Sequence, residues 1–171
     1  QEALEDWYGR LGDDGSYPHL EGIGPVDAPM AVLRMLARYF DLPFRKDVIK
    51  RIIEDQLRRK VNSDTESQTI GLIQLAAVSD LIGLRATSIN VLEKQIERIQ
   101  LPAIALKENL PIIIWSADMA GQALVSNPTL GQKTIQISEI GGRVDDEIIQ
   151  VLTIERSKVA PKKRFGLSWF L

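Results

Sequence analysis

The stretch Gly24-Pro25-Val26-Asp27-Ala28-Pro29-Met30-Ala31-Val32-Leu33-Arg34-Met35-Leu36-Ala37-Arg38-Tyr39-Phe40 limits the possible folds more than any other part of the chain. After its Gly/Pro loop, all but Arg34 and Arg38 are apolar, which leaves almost no face for water and predicts a helix buried in a core. Asp27 reads as the N-cap and Pro29 falls in the first turn, so the helix is expected over roughly Ala28–Tyr39, with its N-terminus opening onto a cleft.

Such a helix needs a sizeable core, and 171 residues with 44% hydrophobic and 26% charged side chains can supply one, as a single α+β domain. A formal net charge of -2 gives no electrostatic reason to expect nucleic acid. Zero cysteines exclude disulfides, Cys-zinc sites and thiol catalysis by the chain as it stands. The one histidine, His19, lies in a Tyr-Pro-His loop and reads as a surface residue; with no second imidazole, a multi-His metal site is ruled out. No apolar run is long enough to span a bilayer, and the first residue is Gln1 rather than Met, which reads as an excised fragment.

Along the chain, a short helix is expected near Ala3–Tyr8, then a loop from Gly9 to Pro25 that should be the least ordered part. Arg45–Arg59 has Val48, Ile49, Ile52, Ile53 and Leu57 on one face, and Arg58-Arg59-Lys60 reads as a basic last turn. A third helix is expected at about Gln68–Ile82, stopped by Gly83. Leu84–Ile89 alternates as a strand, and Val91–Ile99 reads as a short helix. Ala103–Leu106, Pro111–Trp115, Ala123–Ser126 and Thr134–Ser138 form an antiparallel meander, and Ile148–Ile154 is a last strand. Ile112-Ile113-Ile114-Trp115 lacks polar alternation, so that strand should be central and covered on both faces.

Asp27-Ala28 through Ala31, Leu33 and Met35, followed by Tyr39-Phe40, resembles the start of the papain-like bacteriocin-processing peptidase domain of bacterial ABC exporters. That family writes Asp-Cys-Gly-x-Ala-Cys-Leu-x-Met. Further counterparts follow in the family's order: Thr69-Ile70, Leu72 to Ala76, Gly83-Leu84-Arg85-Ala86, Leu101-Pro102-Ala103-Ile104, then Pro111–Trp115 and Asn127-Pro128-Thr129-Leu130-Gly131. The resemblance implies a papain-like cysteine peptidase fold, with N-terminal helices packed on an antiparallel sheet. It places the nucleophilic cysteine at Ala28, the catalytic histidine at Pro111, its orienting aspartate at Asn127 and the oxyanion-hole glutamine at Gly22.

Thiol hydrolysis needs a thiolate, an imidazole and an oxyanion donor, and none of these positions supplies its part. The tail Phe165-Gly166-Leu167-Ser168-Trp169-Phe170, after Lys162-Lys163-Arg164, looks like the lead-in to the first transmembrane helix of haemolysin-type type I secretion exporters, which carry a degenerate peptidase-like domain. The resemblance thus implies an N-terminal extension over residues 1–24, a peptidase-like domain over 25–157 and a juxtamembrane linker over 158–171. It implies a pseudo-peptidase at the cytoplasmic face of the bacterial inner membrane that binds or positions unfolded secreted polypeptide, with Pro111 and Trp115 as substrate contacts. Its other partners would be the exporter's transmembrane and nucleotide-binding domains, with oligomers formed only through the full-length transporter. No cofactor is expected in the domain, and there is no Walker A loop; ATP and magnesium would belong to the nucleotide-binding domain. The alternatives are a leader-peptide-cleaving cysteine protease inactivated by an engineered Cys-to-Ala change at Ala28, and a purely structural dimerisation or gating domain.

Overall fold

The computed structural model describes residues 17–61 and 69–158. The expected Ala3–Tyr8 helix and the Lys162–Leu171 tail lie outside these residues. Three helices come first: α1 (Gly24–Tyr39), α2 (Lys46–Val61) and α3 (Leu72–Ile82). The strands are β1 (Leu84–Leu92), β2 (Ala103–Lys107), β3 (Leu110–Ala117), β4 (Gln122–Asn127), β5 (Gly131–Gln136) and β6 (Ile148–Arg156). They form one sheet in the order β1-β6-β2-β3-β4-β5, and every pairing is antiparallel.

Two turns of the chain decide where α1 and α3 sit. Helix α1 begins at Gly24, earlier than Ala28, because Gly24 adopts φ +97° and Pro25, which has no N–H to leave unpaired, occupies the first turn. Ile23 is therefore the N-cap, and Asp27 is a first-turn acid beside the positive end of the helix dipole. Helix α3 begins at Leu72 because Gly71 is extended and its N–H donates to Gln74 Oε1 at 3.0 Å. It ends at Gly83, which takes φ +102° and donates to Asp80 O.

The expected meander is present as β2-β3-β4-β5, with Glu108 and Asn109 at positive φ joining β2 to β3 in a two-residue hairpin. Strand β6 inserts between β1 and β2, with Leu84 opposite Arg156 and Ala103 opposite Thr153. The Val91–Ile99 segment departs from the expected helix: the strand continues through Leu92 and only Glu93–Arg98 coils, as a 3-10 turn that buries Ile96. Likewise β5 starts at Gly131 and stops at Gln136, and Ile137–Glu139 coils to bury Ile137. In both places a buried isoleucine beneath the sheet decides the local conformation over the short-range pattern.

Both sheet faces are covered. Ile104, Ile113, Trp115, Leu152 and Ile154 pack against the three helices, where Leu33, Met35 and Leu36 of α1 and Ile53 of α2 are fully enclosed. Ala105, Ile112, Ile114, Val125 and Val151 point the other way, onto Ile96, Ile137 and Ile140. Strand β3 is thus interior and dry on both sides, as its unbroken run of isoleucines predicts. At the end of α2, Arg58 and Arg59 reach back to Asp55 at 3.4 and 3.1 Å on the exposed surface, the geometry of a solvated last turn.

Candidate functional site

The four positions singled out by the resemblance are supplied by α1, β3, the β4–β5 turn and the segment that enters α1. Ala28 is in the first half of α1 with 0% exposure, so its methyl group packs into the interior. Gly22 precedes the helix, and its N–H donates to Pro128 O at 3.0 Å. This bond ties the entry of α1 to the Asn127-Pro128 turn. The approach on the other side of Gly22 is closer still: a Cβ there would stand 2.2 Å from Asp27 O and 3.1 Å from Ala31 Cβ. Glycine is therefore required sterically, and a glutamine side chain has no space without displacing the first turn of α1.

Pro111 is buried at the start of β3, opposite Leu106 of β2, in the alternation that sends Ile113 and Trp115 toward the helices. Lacking an N–H, it leaves a gap at the end of the ladder rather than at its centre. Asn127 is 8% exposed at the end of β4, and its Oδ1 accepts from the N–H groups of Thr129 at 2.9 Å and Leu130 at 3.2 Å. That oxygen is committed to the turn into β5, an Asx turn. Gly22 thus brings the first turn of α1 and the Asn127-Pro128 turn together. None of the four positions carries a nucleophile or a proton-transfer group.

Trp115 is buried, with 3% exposure, and is not the exposed aromatic that the substrate-contact reading requires. Its ring stacks on Tyr17 with centroids 4.9 Å apart and leans on Tyr39 at 5.1 Å. Its indole N–H donates to Ser126 Oγ at 2.9 Å. Gln132 Nε2 also donates to that hydroxyl at 3.0 Å, and the hydroxyl reaches Pro18 O at 3.4 Å. Residues 17–22 therefore form a strap across the helix-facing side of β3 and β4, where the sequence reading places part of a loosely ordered loop. Alternation in the strands gives no sign of this network, because it joins positions more than a hundred residues apart.

His19 sits in this strap half-buried rather than open on the surface, and both its ring nitrogens are buried with no hydrogen-bond partner among the described residues. Burial lowers its pKa below 6.5, with Glu21 acting weakly in the opposite sense, so the ring is neutral at neutral pH. Arg38, near the end of α1, is also buried; desolvation and then the neighbouring Arg34 lower its pKa to about 10, which leaves it charged. Among the described residues no group of three or more His, Cys, Asp or Glu is arranged to hold a metal ion, and no helix is long and apolar enough to cross a membrane.

No family model and no curated protein matches the chain. Solved structures do. A double-glycine motif protease from an AMS/PCAT transporter, in complex with its leader peptide, superposes with a TM-score of 0.59 at 14% identity, covering 87% of this chain and 95% of that one. The peptidase domain of Streptococcus ComA, a bifunctional ABC transporter involved in quorum sensing, gives 0.59 at 13% identity over 83% and 100% of the two chains. The N-terminal peptidase C39-like domain of a toxin secretion ATP-binding protein from Vibrio parahaemolyticus gives 0.53 at 18% over 77% and 98%. All three share the arrangement of helices on an antiparallel sheet described above. This chain has the fold of the C39-type peptidase domains of ABC transporters.

Proposed function

We propose that this chain is a non-catalytic peptidase-like domain of an ABC exporter, which binds or positions unfolded secretion substrate in type I secretion at the cytoplasmic face of the bacterial inner membrane. The observation that carries the reading is the combination of a peptidase fold with an alanine, a proline and a glycine where nucleophile, base and oxyanion donor belong. A single Cys-to-Ala replacement accounts for Ala28 alone. It does not account for Pro111, nor for Gly22, whose surroundings are built around the missing side chain.

A papain-like cleft accommodates an extended chain, and that shape survives loss of turnover; one of the structural neighbours holds a leader peptide. Ordering an unfolded segment offsets much of the contact energy, so the expected affinity is on the order of micromolar or weaker. Trp115 and Pro111 are both buried and are thereby excluded as direct contacts, which leaves the surface around Gly22 and the Asn127-Pro128 turn. ATP and magnesium would act in the exporter's nucleotide-binding domain.

The test joins two assays on the same protein. Fluorescence anisotropy with a labelled unfolded cargo segment should report weak binding. Mass spectrometry should show no cleavage of a double-glycine leader by the Ala28→Cys variant, because no imidazole or oxyanion donor accompanies the restored thiol. Turnover by that variant would mean an active protease inactivated at one atom.

A further inference from the structure

The strap of residues 17–22 is seated on the sheet as a bound peptide would be. Tyr17 precedes a proline, which biases it to extended backbone. Its ring lies on Trp115, with centroids 4.9 Å apart and planes 13° from parallel, and faces Tyr39 at 6.1 Å. Behind the ring, Gln132 Nε2 donates to Tyr17 O at 3.3 Å and to Pro18 O at 3.4 Å, and Ser126 Oγ reaches Pro18 O at 3.4 Å. The groups held are therefore one aromatic ring and two consecutive main-chain carbonyls.

The strap is held lightly. All three of these bonds are at the long end of the hydrogen-bond range and all come from side chains. Among the described residues its backbone bonds to the sheet once, from Gly22 N–H to Pro128 O, so residues 17–21 can leave while Gly22 stays tied. His19 opposes seating, because both its ring nitrogens are buried without a hydrogen-bond partner among the described residues and regain water on release.

We propose that the strap is an internal ligand, a displaceable occupant of a site for extended, unfolded chain. The incoming segment presents a tyrosine, phenylalanine or tryptophan ring to Trp115 and Tyr39 and its main-chain carbonyls to Gln132 and Ser126. This deepens the capture reading above and rests on it. Carbonyls recur at every residue of an unfolded chain and are engaged internally in a folded one, so the backbone contacts favour unfolded polypeptide of any sequence and the ring sets the register. The burial that bars Trp115 from contact belongs to the seated strap; with Tyr17 out, the face it stacks on opens. Ser126 directly precedes the Asn127-Pro128 turn, so the opened box extends the capture surface rather than adding a second one.

An internal occupant competes with an external one, and the apparent affinity is the intrinsic affinity scaled by the fraction of strap unseated. Removing the Tyr17 ring therefore tightens binding, whereas removing a merely structural ring weakens it or leaves it unchanged. The probe is the strap's own sequence in trans, the peptide Tyr-Pro-His-Leu-Glu, titrated into the isotope-labelled 171-residue domain with Trp7→Phe and Trp169→Phe, so that Trp115 gives the one indole N–H resonance. The Tyr17→Ala variant should bind this peptide with a dissociation constant on the order of millimolar, the concentration scale at which a tethered segment holds its seat. The domain with Tyr17 intact should bind it several-fold more weakly, Tyr17→Phe should match the intact domain, and the peptide with alanine in place of its tyrosine should leave the indole resonance unmoved. Equal or weaker binding by Tyr17→Ala, no binding by it, indifference to the peptide's ring, or loss of its cooperative melt would each overturn the proposal. An unfolded cargo segment bound equally by Tyr17→Ala and the intact domain would also overturn it while leaving capture at the junction. A cargo segment bound by neither, beside a strap peptide that binds Tyr17→Ala, would end the capture reading and leave the strap site standing.

Discussion

Replacing Gly22 by alanine is the most incisive single-atom perturbation of the junction that joins α1 to the sheet. The added Cβ would stand 2.2 Å from Asp27 O and 2.8 Å from Asp27 C, both backbone atoms of a helical turn. Carbon and oxygen do not approach so closely, so either the strap or the first turn of α1 must move by about 1 Å, and overpacking of this kind costs about 1–3 kcal/mol. The same displacement stretches the 3.0 Å hydrogen bond from Gly22 N–H to Pro128 O, worth about 1 kcal/mol net. The sum is roughly 2–4 kcal/mol. At about 2–4 °C per kcal/mol for a domain of this size, Gly22→Ala should melt roughly 5–15 °C below the unsubstituted protein in a reversible thermal scan followed by circular dichroism. Met119→Ala, at an exposed turn, should stay within about 0.5 kcal/mol. A Gly22→Ala melting temperature within 1 °C of the unsubstituted protein would refute the close approach. It would also remove the steric reason why a glutamine side chain finds no room at position 22.

Two further outcomes follow from side chains around the same junction. His19 is neutral in the fold because burial lowers its pKa below the 6.5 of the unfolded chain, so stability is fully present above pH 6.5 and falls as the pH drops below it through the folded-state value. Chemical denaturation between pH 7.5 and 5.5 should show that decline, and His19→Gln should flatten it; an unchanged slope would place the titration elsewhere. Glu139, held low by the Gln136 N–H, contributes in the same sense only below 4.5 and does not overlap that window. Asn127→Ala should cost about 1–2 kcal/mol in urea denaturation, since Thr129 and Leu130 lose their common acceptor, whereas Asn127→Asp keeps an acceptor and most of the stability.

The elements with strong periodicity were legible in the sequence. The apolar run after Pro29, interrupted only by Arg34 and Arg38, marks the helix, Gly83 marks its neighbour's end, and Ile112–Trp115 marks the interior strand, because each signal is local and agrees with its tertiary surroundings. The start of α1 was misplaced because Asp27 carries an N-cap signature while Pro25 carries an equally valid first-turn one. Only the approach of Gly22 to Pro128 distinguishes them. Insertion of β6 between β1 and β2 was illegible, since pairing partners far apart in sequence leave no local trace. Trp115 was ambiguous for the same reason: the tyrosine that covers it and the serine that accepts its N–H come from other segments. The four positions singled out by the resemblance, Ala28, Pro111, Asn127 and Gly22, were named from residue identity alone. What the structure adds is that Gly22 and Asn127 have structural duties of their own, as a close-approach glycine and a turn former.

The central claim, capture of unfolded chain without cleavage, is tested most directly by amide chemical-shift mapping of the 171-residue domain titrated with one cargo segment in its unfolded and folded forms. The unfolded form should shift the amides of Gly22, Ala28, Thr129 and Leu130 at micromolar or weaker affinity, while the folded form leaves them unmoved. Equal shifts from both forms, or none from either, would contradict the account and leave a purely structural domain.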